Sequence, residues 1–161
     1  MKLKAFVLYI LLMLLLSACA KQPYLKEHTA LILFKTENFK YADLGFIYEN
    51  KEEVKVEIYA SGQALMTLSI GENAVCMSAL QCMSKAQFNK EVLSATYPQE
   101  IISDIFRGKA IFSGLNIRKN GNGFTQNIIK QDKYHIEYSV LNKHIIFRDK
   151  MNDILIKVTR Q

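Results

Sequence analysis

Three cysteines and three histidines carry most of the reactive chemistry available to this 161-residue chain. Two of the cysteines lie close together, in Cys76-Met77-Ser78-Ala79-Leu80-Gln81-Cys82-Met83. Three chemistries fit that spacing. A disulfide is the default in an oxidising compartment, and closing so small a loop contributes about 2 kcal/mol in the chain-entropy account. The thiolates with the thioethers of Met77 and Met83 could instead hold Cu(I), the ion that soft ligands select. Free thiols are the third outcome. No histidine lies near and no second such cluster occurs, so the disulfide is the expectation. Hydrolytic catalysis needs a nucleophile beside a base, or paired carboxylates. His28 falls in a polar stretch, and His135 alternates with Tyr134 and Ile136, which turns it from the apolar side of its strand. Neither a Gly-x-Ser-x-Gly elbow nor a His-Glu-x-x-His helix is present. The carboxylates gather in charged turns such as Glu49-Asn50-Lys51-Glu52-Glu53. The inventory predicts a protein that is not an enzyme and needs no cofactor or metal.

The third cysteine has a different setting. Lys2 and Lys4 precede Ala5–Leu16, an unbroken apolar run of 12 residues. That is too short for a helix to cross a bilayer core of about 30 Å, and it has the length of a signal-peptide h-region. It leads into Leu16-Ser17-Ala18-Cys19, which resembles the lipobox of bacterial lipoproteins. The resemblance implies cleavage after residue 18 and acylation of Cys19 by chains such as palmitate. The mature chain would be 19–161, 143 residues, and its charge would fall from +6 to +4 because two lysines and no acid are removed. Several acyl chains on one residue make a durable anchor, at about 0.8 kcal/mol per buried methylene. Ala20, where enteric inner-membrane lipoproteins carry Asp, points to the periplasmic face of the outer membrane. A charge of +4 spread along the chain makes no nucleic-acid patch.

These sites need elements to hold them. Residues 19–28 read as the acylated cysteine and a polar tether, and 29–161 as one domain. Ala30–Lys35 is a candidate strand. Ala42, Leu44, Phe46 and Tyr48 alternate along the next, then Val54, Val56 and Ile58, then Ala64, Met66, Leu68 and Ile70, with turns at Ala60–Gln63 and Gly71–Asn73. At Ser84 the period changes. Ser84 and Gln87 form a capping-box pattern ahead of Phe88, Val92 and Leu93 at helical spacing. Pro98 suits the first turn of a second helix carrying Ile101, Ile102, Ile105 and Phe106, with Gly108 as its cap. Strands follow over 111–117, 124–130, 134–140, 143–148 and 154–158, with a turn at Asn120-Gly121-Asn122-Gly123. The fold class expected is α+β: a single curved antiparallel sheet, a half-barrel of about nine or ten strands, with two helices on its concave apolar face.

That order of elements resembles the LolA/LolB superfamily, and its LolB branch most. The likeness runs from Lys40 to about Val158. It rests on the Val54–Ile70 hairpin around Tyr59-Ala60-Ser61-Gly62, on Phe88–Leu93 through Ile105-Phe106-Arg107-Gly108, and on Lys133-Tyr134-His135-Ile136-Glu137-Tyr138. The resemblance implies an outer-membrane lipoprotein that accepts lipoprotein cargo from a periplasmic LolA-like carrier and inserts it into the membrane. It implies an acyl-chain cavity lined by Phe46, Tyr48, Val56, Ile58, Met66, Leu68, Phe88, Leu93, Ile102, Ile105, Phe106 and Tyr138. An ordinary filled core would use the same residues. The chain has no Trp, whereas the family is Trp-rich, and Ser61 stands where LolB carries the apolar turn residue that touches membrane. Those departures point to the alternative expectation, a non-enzymatic scaffold lipoprotein of an envelope or motility complex.

Overall fold

A computed structural model of the chain describes residues 23–78 and 81–161. Among these, the first half runs β1 (Lys26–Lys35), β2 (Lys40–Glu49), β3 (Val54–Ala60), β4 (Gln63–Ile70), β5 (Ala74–Cys76) and β6 (Cys82–Ser84). Two helices follow, α1 (Lys85–Val92) and α2 (Ile101–Arg107), and a 3-10 turn over Phe112–Gly114. The second half is β7 (Ile117–Asn120), β8 (Gly123–Lys130), β9 (Tyr134–Leu141), β10 (His144–Asp149) and β11 (Ile154–Arg160). All the strands join one antiparallel sheet in the order β6-β5-β4-β3-β2-β1-β11-β10-β9-β8-β7. Each half is a meander of hairpins. The single pairing distant in sequence is β1 with β11, where Ala30 faces Arg160 and Lys35 faces Leu155.

This order makes β6 and β7 opposite edges of an unclosed sheet. The chain between them, residues 85–116, therefore has to travel from one edge to the other across a face. The α+β architecture expected from the sequence is the one observed, with eleven strands among the described residues in place of nine or ten. Strands β5 and β6 are three residues each, too short to show a period.

Alternation decides which face the strap of helices covers. Ala30, Ile32 and Phe34 of β1, Val54, Val56 and Ile58 of β3, and Met66, Leu68 and Ile70 of β4 are buried. So are Ile136 and Tyr138 of β9, Ile145 and Phe147 of β10, and Ile154, Ile156 and Val158 of β11. Against them pack Phe88 and Val92 of α1 and Ile101, Ile102, Ile105 and Phe106 of α2. Burying each such side chain stabilises the fold by about 1.5–3 kcal/mol before the entropy of ordering is subtracted.

Local signals set the helix ends. Ser84 Oγ accepts from Gln87 N at 3.2 Å, half of a capping box. The Gln87 amide turns to Glu91 Oε1 at 2.8 Å in place of the reciprocal bond. Gly108 ends α2 in the left-handed region at φ +67°, a conformation that glycine adopts without penalty. Pro98 lies ahead of α2, and its carbonyl accepts from Ile101 N at 3.2 Å.

Two expected boundaries move. His28 belongs to β1, opposite Ile47, and not to a tether. The first four residues of that strand, Lys26-Glu27-His28-Thr29, are polar and largely exposed, so nothing in their period marks a strand. No strand forms over residues 111–116: Phe112, Ser113 and Asn116 lie at φ +49°, +54° and +54°, and the strand begins only at Ile117. Consecutive positive φ values turn the chain away from the β region.

Candidate functional site

Among the expected lining residues, nine meet on the covered face or under the strap. Val56, Ile58, Leu68, Phe88, Ile102, Ile105, Phe106 and Tyr138 are almost wholly buried there, and Met66 nearly so. Leu93 caps α1 at the margin, half-buried. Phe46 and Tyr48 are a correction: they lie on the opposite face. In β2 the buried positions are Gly45, Ile47 and Glu49, because Ile47 pairs with Val56 and Gly45 with Ile58, and directly opposed residues share a face. A Cβ on Gly45 would come within 2.1 Å of the Glu57 carbonyl oxygen, so β2 needs glycine to approach β3. Phe46 and Tyr48 instead join a second aromatic group, with Phe46 edge-on to Tyr59 at 5.7 Å and Tyr48 beside Tyr24 at 5.5 Å.

The interior is filled by interdigitating rings. Phe106 stacks on Phe34 at 6.5 Å, Tyr97 meets Phe147 edge-on at 6.0 Å, and Tyr138 meets Phe147 at 6.3 Å. Polar contacts seat the strap. Lys85, itself buried, reaches Glu100 at 2.7 Å and ties the start of α1 to the start of α2. Asn89 Nδ2 donates to the Pro98 carbonyl at 2.9 Å. Arg107 Nη1 donates to the Asn50 carbonyl at 2.8 Å, and Arg160 Nη2 to the Phe106 carbonyl at 2.7 Å. Gln126 holds the following turn, accepting from Ile111 N and donating to the carbonyls of Ile111 and Leu115.

The Tyr97 hydroxyl donates to Asp149, which also accepts from the His135 and Met151 backbone N–H groups and from Asn152 Nδ2. Burial works against the charge on Asp149, but these donors outweigh it and hold its carboxyl below the ordinary carboxylate range. Burial, with the Asp149 carboxylate beside it, pushes the Tyr97 hydroxyl well above its ordinary value. Tyr138 is pushed up chiefly by burial, and its hydroxyl donates to the Lys109 carbonyl at 2.9 Å. Both phenols therefore act as fixed neutral donors that fasten the strap to the sheet.

At the free margin of the strap a recess of about 360 Å³ opens between the end of α1 and the turns at 36–38 and 151–153. Val92, Leu93, Met151 and Ile154 supply its apolar lining. Cys76 and Cys82, opposed in β5 and β6, bring their sulfurs to 2.02 Å. Cys19 and the lipobox lie outside the described residues. Among those described, no group of three or more His, Cys, Asp or Glu side chains is placed to hold a metal, and no helix is long and apolar enough to cross a membrane.

Ile47, Gly45, Gln126 and Asp149 escape the pattern argument. Gly45 conceals the phase of β2, and Asp149 looks like one more charge in a turn. A signal was available for Asp149: Asp-x-x-Asn, over Asp149 and Asn152, is a turn in which the first carboxylate accepts from backbone N–H groups. The chain matches no protein-family model, and no curated protein matches it.

Proposed function

We propose that this protein is a lipid-anchored, non-enzymatic lipoprotein of the outer membrane that binds acyl chains between its helical strap and its sheet and receives lipoprotein cargo in the manner of LolB. The observation that carries the reading is the strap itself. An unclosed sheet is crossed by two short helices whose inward side chains are mostly hydrocarbon or aromatic, Phe88, Val92, Ile101, Ile102, Ile105 and Phe106, with Lys85 and Asn89 the buried polar members of α1. A fatty chain entering beside Val92 and Leu93 would exchange one apolar contact for another, while the bonds of Asn89 and Lys85 keep the rest of α1 seated. Transfer then requires no cofactor. The cargo moves toward the site that buries more apolar surface, at about 25 cal/mol per Å². The lipobox at Cys19 supplies the anchor and the export that the reading requires.

A second reading, a scaffold lipoprotein of an envelope complex, is favoured by the polar fastenings at Asn50, Gln126 and Asp149, which hold the strap down along its length. The two differ in lipid content. The domain secreted without Cys19 should co-purify with phospholipid or acyl chains detectable by mass spectrometry, and should bind a dansylated fatty acid that Leu93→Glu abolishes. A lipid-free domain that ignores the probe would overturn the carrier reading in favour of the scaffold.

A further inference from the structure

The sheet has two ends, and the tether leaves from one of them. Tyr24 and Leu25 lead into β1, with Leu25 N bound to the Glu49 carbonyl at 2.9 Å. Leu25, just ahead of β1, is 70% exposed. Beside it is a groove of about 320 Å³ lined by Leu25, Lys26, Glu49, Lys51, Arg107 and Lys109, with Asn50 at its wall. Four cations therefore surround one carboxylate, and that carboxylate is already matched: Glu49 lies 3.0 Å from Arg160 and 3.8 Å from Arg107. The Lys26, Lys51 and Lys109 ammonium groups are exposed and make no ion pair among the described residues. Glu52 and Glu53 belong to the same turn, where both backbone N–H groups bind Asn50 Oδ1, and neither lines the groove. At this end too, the Tyr24 and Tyr48 rings lie 5.5 Å apart, with Lys55 Nζ 5.4 Å over Tyr48. Leucine, tyrosine and lysine together are the composition that settles at a membrane–water boundary.

Distance agrees. Leu25 is six residues from Cys19, so at most about 3.5 Å per residue, or roughly 20 Å, separates it from the acylated position. The opposite end of β3, where Ser61 and Gly62 turn, is seven residues of strand further off, about 23 Å at the rise of an extended chain.

We propose that the tether end of the sheet faces the bilayer. Lys26, Lys51 and Lys109 at the groove hold the phosphate of anionic phospholipid headgroups, while Arg107 stays bonded to Glu49 and the Asn50 carbonyl, and Leu25 enters the boundary of the acyl region. The proposal rests on the anchoring of Cys19 argued above. It places the Ser61 turn away from the membrane, so contact is made by the lysine groove and not by that turn.

The test uses the acylated protein reconstituted into vesicles, neutral phosphatidylcholine alone or with a third phosphatidylglycerol. Lysines are footprinted with an amine-acylating reagent and read by mass spectrometry, with Lys119 and Lys157 as references on other parts of the sheet. Lys26, Lys51 and Lys109 should label about five-fold more slowly on the anionic vesicles, the weight expected of one cation at an anionic surface. The protection should vanish at 0.5 M salt, where screening lengths shrink to about 4 Å. Lys51→Gln should weaken the protection of Lys26 and Lys109 without touching the references. Equal labelling on both vesicles, or protection of all lysines alike, overturns the proposal. So does equal protection by inorganic phosphate without lipid, which would make the groove a site for a soluble anion. Flotation with neutral vesicles at high salt reads the anchor separately. A chain that does not float there lacks the anchor, while its footprint on anionic vesicles still supports or overturns the groove.

Discussion

Replacing Phe106 with Ala tests the strap directly. The ring is fully buried and lies almost parallel to Phe34, 6.5 Å away at 12°. It projects from the last turn of α2, next to the carbonyl that Arg160 holds. A buried phenylalanine truncated where the surroundings collapse incompletely costs about 3–5 kcal/mol, from lost transfer energy plus the void left behind. For a domain of this size the urea slope is about 2 kcal/mol per molar, so the midpoint should fall by roughly 2 M. The chain has no Trp, so far-ultraviolet circular dichroism is the suitable signal. The same variant should bind a dansylated fatty acid more tightly than the parent, because the missing ring vacates space that an acyl chain must otherwise displace. A loss below about 1.5 kcal/mol would show that the ring borders space already empty, and would refute the filled interior described here. The expected destabilisation with unchanged probe binding would place any acyl site away from the strap.

Three further outcomes are expected, two from the structure and one from the proposed anchor. The folded value of the Asp149 carboxyl is depressed, so its contribution is complete above the unfolded value of about 4 and is lost as pH falls through the lower folded value. Asp149→Asn should therefore be clearly less stable than the parent at pH 7, and the gap between the two urea midpoints should narrow below pH 4. A gap that is constant with pH would refute the assignment. Cys76 and Cys82 should resist alkylation until a reductant is added, and Cys76→Ser with Cys82→Ser should cost about 2 kcal/mol. Full labelling of both thiols in protein isolated without reductant would refute the bond. Cys19→Ser should move the protein from the membrane to the soluble fraction in cell fractionation, and a variant still bound at high salt would show that the anchor lies elsewhere.

Where one face of an element is apolar and the other polar, residue spacing was enough. Met66, Leu68 and Ile70 against Thr67 and Ser69 fix the inner face of β4, and the Ile101-Ile102-Ile105-Phe106 stripe with Gly108 fixes α2 and its end. These are local regularities, and a period of two or 3.6 records them directly. Strand β2 was not legible in this way. Leu44, Phe46 and Tyr48 offer an apolar phase as good as Ile47 does, and only the pairing of Ile47 with Val56 and Gly45 with Ile58 chooses between them. The polar start of β1 was equally silent until Glu49 and Ile47 stood opposite it.

The sequence by itself determined the α+β class, the hairpin succession and the placing of two helices midway. It did so because each rests on residues near one another in the chain. Tertiary structure decided the rest. The meeting of β1 with β11 makes β6 and β7 the edges of one sheet, and this requires the helices to cross its face. The crossing of the strap brings Lys109 to the end where Lys26 and Lys51 lie and buries Asp149 beside Tyr97. Contacts between residues dozens of positions apart leave no period in a sequence. They exist only once loop closure has been offset by the burial that the sheet and its strap make together.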